Sequence, residues 1–506
     1  MAAKLEKSPN HQVLKIKKYV RSVEMEGSWI ALLPFLVVIP ISIVTKQVQP
    51  GLLVGLILGS YLKQPDILGG VKTLIGYIVD NMVKQNNIRI IIFLYVFAGL
   101  ISLTKLTGGI KGFVNLVGHK VKTKGSAMLL TWLSTIGTFS DPDFRIVTIA
   151  PIMKALRQRL QISKQEIGFV IEATSNPVVV LIPVATAFVG YMVSVTGTAL
   201  QHVGIKEEPY IIYIKSIPFN FFSYVIIALG IYYSFFRDFG GKKREGKQEA
   251  SNARANGQDP NSLQGEEDLE ECYRAFEKDT PSKPWNLILP LISVLVGTIF
   301  LSWWDGHLKS SSFMGAFLKA DALGVMLEAV FISLFLSLIF YLCQHFSVAK
   351  LVTHFVKGGN ELVSVIIMLT LIWALSAVSE DLGFSKYIAA QVAGRVPHTF
   401  IAPVIFLLGG LISYFIGSSW GTWGLLMPLG VTLAQQSGGN ILLVIGAVFA
   451  SGTFGAFASP LSDNTVTLCT ILDLPVMEYS RLKLKPALLA AAITTVLFGV
   501  AAMLFH

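Results

Sequence analysis

Two short polar runs set inside apolar sequence could do chemistry. Ser459-Pro460-Leu461-Ser462-Asp463-Asn464-Thr465 gathers hydroxyls, an amide and a carboxylate between the small-residue stretch 445–458 and the apolar stretch 466–472. A helix interrupted there presents backbone carbonyls, hydroxyl oxygens and one carboxylate, the ligand set a small hard cation needs once it has shed its water. Glu172-Ala173-Thr174-Ser175-Asn176-Pro177 is the counterpart in the first half of the chain, again polar and again flanked by apolar residues. Pro177 has no N–H to give to a helical ladder, which frees a carbonyl upstream.

An ionisable group at bilayer depth costs at least about 2.5 kcal/mol and is seldom kept without a task. Asp463 therefore reads as a cation ligand or proton carrier, the plain alternative being a cap at a helix end. Glu172, one turn before its break, suits proton exchange; the plain alternative is a structural partner for an Arg or a helix dipole. Asp141 and Asp143 flank Pro142 just after Gly137. Two carboxylates so close could share a proton or attract a cation, with Arg145 as charge partner, or one could simply cap the helix that follows. Gly417 and Gly421 bracket a further break, beside which Trp420 and Trp423 could line a path. The eight histidines are dispersed, none of them in a broken segment, which argues against a histidine proton relay.

These residues need a membrane frame around them. Hydrophobic residues make up 53% of 506 positions, charged residues 14%, and the mean hydropathy is +0.62, so the chain is a polytopic, all-α membrane protein. The first apolar segment lacks a cleavage pattern and is expected to remain. A net charge of +10 matches Lys and Arg collecting in cytoplasmic loops rather than nucleic-acid binding. Cys272, Cys343 and Cys469 have no metal-ligand spacing. Neither a nucleophile with its base nor a P-loop is found, which points away from an enzyme or an ATP-driven pump; no cofactor is expected.

Along the chain, 1–27 is a basic arm, 28–87 holds peripheral spans, 88–236 a first transport repeat, 237–284 a polar cytoplasmic linker, 285–361 connecting spans and 362–506 a second repeat. The apolar piece 126–139 carries basic flanks on both sides, which a re-entrant hairpin with its tip near 137–143 explains better than a crossing. The last span is placed at 484–505. Residues 97–100 resemble 373–375, 136–138 resemble 416–418, and 175–177 fall where 463–465 fall. An odd number of crossings between the repeats inverts one against the other. The sequence thus predicts an inverted-repeat secondary transporter with broken helices, re-entrant hairpins and about 10–12 spans. Placing residue 1 inside puts the basic loop 105–125 outside, so absolute orientation stays open.

The segments 141–144 through 150–153, 174–178 through 181–183, 420–423 and Ser459-Pro460-Leu461-Ser462-Asp463-Asn464-Thr465 together resemble the NhaC-type Na+/H+ antiporter family of the ion transporter superfamily, the last being the most specific. The resemblance implies exchange of cytoplasmic Na+ for external H+ across the bacterial inner membrane. In some relatives it implies exchange coupled to a small organic anion or amphiphile such as malate, lactate or tetracycline. Na+ would then be held at Asp463, Asn464, Ser462, Asn176 and Ser175, with Asp141, Asp143, Glu172, Thr174, Ser459 and Thr465 completing the ion-binding set. Gly137, Pro177, Gly417, Gly421 and Pro460 would make the breaks. The partners are Na+, H+ and the lipid bilayer, with monomer and homodimer both open.

Overall fold

A computed structural model describes residues 28–505 apart from 46, 110, 113–122, 140, 161, 185, 238, 240–282, 310–315, 317–319 and 393–396. The basic arm and nearly all of the polar linker lie outside the described residues. Every described element is helical. In chain order these are α1 (Leu33–Thr45), α2 (Val48–Lys63), α3 (Ile67–Met82), α4 (Gln85–Leu106), α5 (Lys124–Leu133), α6 (Pro142–Leu160), α7 (Lys164–Ala173), α8 (Asn176–Val179), α9 (Ala187–His202), α10 (Pro209–Ser216) and α11 (Phe221–Phe235). Beyond the linker come α12 (Trp285–His307), α13 (Ala322–Cys343), α14 (Val348–Glu361), α15 (Val363–Asp381), α16 (Phe384–Val392), α17 (Ile401–Ile416), α18 (Ser419–Ser437), α19 (Ile441–Ala458), α20 (Asp463–Leu472) and α21 (Val476–Leu504).

Seven described helices are long and apolar enough to cross a membrane, and Pro209–Phe219 with Phe221–Phe235, bent by 46°, makes an eighth if the bent pair is counted as one span. Two shorter apolar helices, Trp29–Thr45 and Val48–Lys63, pack antiparallel. With α17 read as a hairpin arm and α7 to α9 as one interrupted span, about ten crossings result.

The interruptions follow from local chemistry. α7 starts at a Ser163 cap and stops at Ala173; Ser175 takes φ −90° and ψ −105°, and α8 restarts with a proline in its first turn. α19 stops at Ala458 because the residue before Pro460 is pushed out of the helical region, and Ser459 has ψ 136°. α20 then opens on Asp463, an acid at the positive end of the helix dipole.

Each half also folds a hairpin against its broken span. α5 runs alongside α7, bridged by Lys124–Glu166 at 2.6 Å, turns over after Thr138 and returns as α6. α17 runs alongside α19, where Gly455 leaves room for the Ser413 hydroxyl that a Cβ would meet at 1.9 Å, then turns at Gly417 and returns as α18. The hairpins enter from opposite ends, so the halves are inverted. The end of the bundle where Lys283 N–H donates to Gly108 O (3.2 Å) is the linker face. Gly137 and Gly421, expected as breaks, lie within the helical turns Thr135–Thr138 and α18. The first hairpin bends instead between Thr138 and Pro142. Gly421 lets Val48 approach, since an added Cβ would sit 2.2 Å from it.

Candidate functional site

Both hairpin tips and both breaks converge. At the first break Ser175 is buried and its hydroxyl donates to Ile171 O (2.6 Å). The buried amide of Asn176 donates through Nδ2 to Ser419 Oγ on the second hairpin (3.3 Å). Its Oδ1 is buried without a hydrogen-bond partner among the described residues. Ser419 in turn donates to Gly452 O (3.1 Å) on α19. At the second break Ser459 donates to Tyr414 O (2.6 Å), tying the break to the same hairpin, and Pro460 makes the turn. Ser462, Asn464 and Thr465 are buried.

Three carboxylates gather at the linker-face side of this crossing. Asp143, at the start of α6, lies within electrostatic range of Asp141 and Asp463, and of Lys105 and Glu361 at the linker-face ends of α4 and α14. Asp463 is surface-accessible rather than enclosed, as is Asp143. α6 and α20 run side by side from the tips toward the linker face, where Lys154 and Asp473 pair at 2.6 Å. Among the described residues neither Asp143 nor Asp463 forms an ion pair, and no three His, Cys, Asp or Glu side chains converge tightly enough to hold a metal ion.

Glu172 is placed quite differently. Its carboxylate is buried and fully engaged: Oε1 accepts from Lys483 Nζ (2.6 Å) and Thr465 Oγ1 (2.9 Å), and Oε2 from Tyr479 Oη (2.5 Å). Lys483 has no exposed surface, donates also to Thr465 Oγ1 (2.6 Å), and sits 5.5 Å from the Phe457 ring centroid and 5.0 Å from that of Tyr479. The cluster ties α7, α20 and α21 together one turn from each break. The helix carrying Lys483 starts at Val476, not near 484 as the apolar run suggested. Lys483 is thus a central residue that the sequence reading missed, and the partner of Glu172 is a lysine rather than an arginine.

Arg145 does not pair with Asp141 or Asp143. Fully buried, it turns to the first break: Nη2 donates to Thr174 Oγ1 (2.6 Å) and Thr131 O (2.6 Å), Nη1 to Thr138 (2.9 Å) and Ser134 (3.3 Å), and Nε to Thr174 (3.2 Å). Its length carries the guanidinium past the tip into a ring of neutral oxygens, where all five N–H donors find acceptors. Thr174, expected to meet an ion, is the hub of this ring.

Trp423 is buried and donates to Phe449 O (3.0 Å), while Trp420 is half-buried against Tyr191 and Phe188. Glu328 is exposed on α13, away from the crossing.

Comparison with known proteins was made against this geometry. A family model described as the Na+/H+ antiporter family matches residues 178–503, from just past Pro177 to near the end of α21. An uncharacterized protein of Haemophilus influenzae is 25% identical over 468 residues, 88% of this chain and 86% of that one. The malate-2H(+)/Na(+)-lactate antiporter of Bacillus subtilis is 29% identical over 189 residues, 35% of this chain and 38% of that one. Among solved structures, MtrF of Neisseria gonorrhoeae, described as one of a class of antimetabolite efflux pumps, has TM-score 0.62 at 13% identity over 86% of this chain and 85% of its own. The YdaH transporter of Alcanivorax borkumensis has TM-score 0.56 at 13% identity over 85% of this chain and 88% of its own. Both share the fold.

Proposed function

The chain belongs to the Na+/H+ antiporter family and is a multi-pass membrane protein, a secondary antiporter; from that premise we propose that it exchanges cytoplasmic Na+ for external protons. The observation that carries the reading is the meeting of Asp143 and Asp463, one from each half, at the crossing of the two breaks and without an ion pair of their own among the described residues. Carboxylates so placed repel one another unless a cation or a proton intervenes. Na+ is held by Asp463 and Asp143 with oxygens of Ser462, Asn464, Ser175 and the orphaned Asn176 Oδ1. Protonation of the same carboxylates cancels the charge and releases the ion. Exchange then needs no distant signal, because the two ligands compete for one site and each shifts the equilibrium by its differential affinity.

The linker face is assigned to the cytoplasm, since Lys105, Lys124, Lys154 and Lys164 lie toward the end of the bundle where Lys283 meets Gly108. Na+ therefore reaches the acidic opening from inside. The test is dye-monitored ΔpH in everted vesicles: Na+ is expected to dissipate it, and Asp463→Asn to abolish the response. Undiminished dissipation in that variant would dismiss the scheme.

A second reading is coupled exchange of a small organic anion. Arg145 favours it, a buried guanidinium at the first break with only neutral partners among the described residues, and so does the partial likeness to the malate/lactate antiporter. Counterflow of labelled malate or lactate into proteoliposomes, present or absent, separates the two.

A further inference from the structure

A cavity of about 400 Å³ lies at the end of the bundle remote from the linker. Side-chain amides of Asn81, Gln85, Asn87 and Gln201 line it together with Lys84 and His202. Its floor is the Trp373 indole, which donates to Ser194 Oγ (2.8 Å). The cavity and the acidic opening lie near opposite ends of α4: Ile90 lines the first and Lys105 is in range of Asp143 at the second. At 1.5 Å per residue those positions are roughly 22 Å apart along the helix.

One aromatic layer separates the floor from the crossing. Tyr191, a turn before Ser194 on α9, donates its hydroxyl to Trp420 O at the tip of the second hairpin. Its ring lies 4.9 Å from that of Trp420, and Phe188 lies 4.7 Å from Trp420 and 5.1 Å from Trp423. Ser419, next in the chain to Trp420, holds Asn176. The layer is thus bonded directly to the site it covers, and α9 is the outer half of the broken span itself.

We propose that this cavity is the second mouth of the transport path, a wet vestibule for a hydrated monovalent cation, shut in this conformation by Tyr191, Phe188, Trp420 and Trp423. It rests on the exchange proposed above and extends it to a named exit. Its chemistry suits release rather than retention. The lining carries an ammonium and an imidazole and, among the described residues, no carboxylate; His202 pairs at 3.6 Å with Glu380, which is not part of the lining. Amide and hydroxyl groups keep water in place without binding a bare ion tightly. A cation that reaches this space has a weaker hold than at Asp463 and leaves.

The test uses full-length protein made cysteine-free by Cys272→Ser, Cys343→Ser and Cys469→Ala, carrying Thr198→Cys or, separately, Asp143→Cys. An impermeant cationic methanethiosulfonate is added to one side of sealed vesicles. Thr198→Cys is expected to react only from the side opposite the linker, and Asp143→Cys only from the linker side. Modification of Thr198→Cys should lower Na+-dependent exchange at least tenfold relative to the same variant before labelling. Labelling of Thr198→Cys from the linker side, or complete labelling with undiminished exchange, would overturn the proposal. Absence of Na+ exchange in the unlabelled protein would count against the Na+/H+ reading alone, since the sidedness of labelling still judges the mouth.

Discussion

Removing the Lys483 ammonium is the most informative perturbation of the core. Lys483 Nζ and Glu172 Oε1 are 2.6 Å apart and neither side chain is more than 2% exposed. Their attraction at an effective dielectric of about 20 is about 6 kcal/mol, most of which offsets the loss of water around both groups. Lys483→Met leaves the carboxylate with only the Thr465 and Tyr479 hydroxyls, and breaking one side of such a pair costs about 3–5 kcal/mol. That is roughly a 140- to 4,000-fold shift toward the unfolded chain. Glu172→Gln with Lys483→Met removes both charges while keeping similar volumes, and should recover most of the loss. The assay is the fraction of detergent-solubilised protein that survives a graded heat challenge as a single size-exclusion peak, measured for both single variants and the double. Equal losses in Lys483→Met and in the double variant would refute the claim that the pair is a unit.

Three further outcomes follow from the same geometry. Arg145→Lys supplies at most three donors where five are used, so about two charge-assisted bonds at about 1.5–3 kcal/mol each are lost, and heat survival should fall below that of the native chain. Gly417→Ala places a Cβ 2.5 Å from Leu461 O at a residue with φ +78°, costing at least about 1 kcal/mol of backbone strain before the clash; the initial rate of Na+-dependent exchange should drop while expression persists. Asp143→Asn removes one of the two carboxylates facing the ion, and the apparent KM for Na+ should rise at least tenfold with a smaller change in kcat, read from vesicle fluorescence.

Much of the frame was legible because the sequence violates a simpler pattern. The basic flanks on both sides of 126–139 argue against a crossing, and the hairpin α5 to α6 stands in its place. Pro177 and Pro460 stop helices for steric reasons that no tertiary contact relieves, so the breaks fall where they were placed. Lys483 escaped because Glu478, Arg481, Lys483 and Lys485 together look like a solvated helix end. A finer signal was present: Tyr479, Ser480, Lys483, Pro486 and Ala487 recur with helical spacing and are all buried, while Glu478, Arg481 and Lys485 are exposed on the opposite side. A lysine on the apolar stripe of a membrane helix calls for a buried acid, and Glu172 was one of the few acids deep in an apolar run. The direction of Arg145 had no such signal, since a guanidinium on a long stem reaches hydroxyls and carboxylates equally well.

Depth alone made Glu172 and Asp463 equivalent in the sequence, and the structure separates them by what surrounds each carboxylate. Glu172 has three donors on its two oxygens, one of them a cation that cannot leave without moving α21. Any ion that took its place would have to match those bonds first, so the residue favours the assembled core over exchange. Asp463 and Asp143 carry no ion pair among the described residues and face an accessible surface. A carboxylate couples two ions only if both can reach it and neither is opposed by a fixed partner. Under the proposed exchange the chemistry falls to Asp463 and Asp143, while the Glu172–Lys483 pair holds α7 against α20 and α21 and so keeps the two breaks in register.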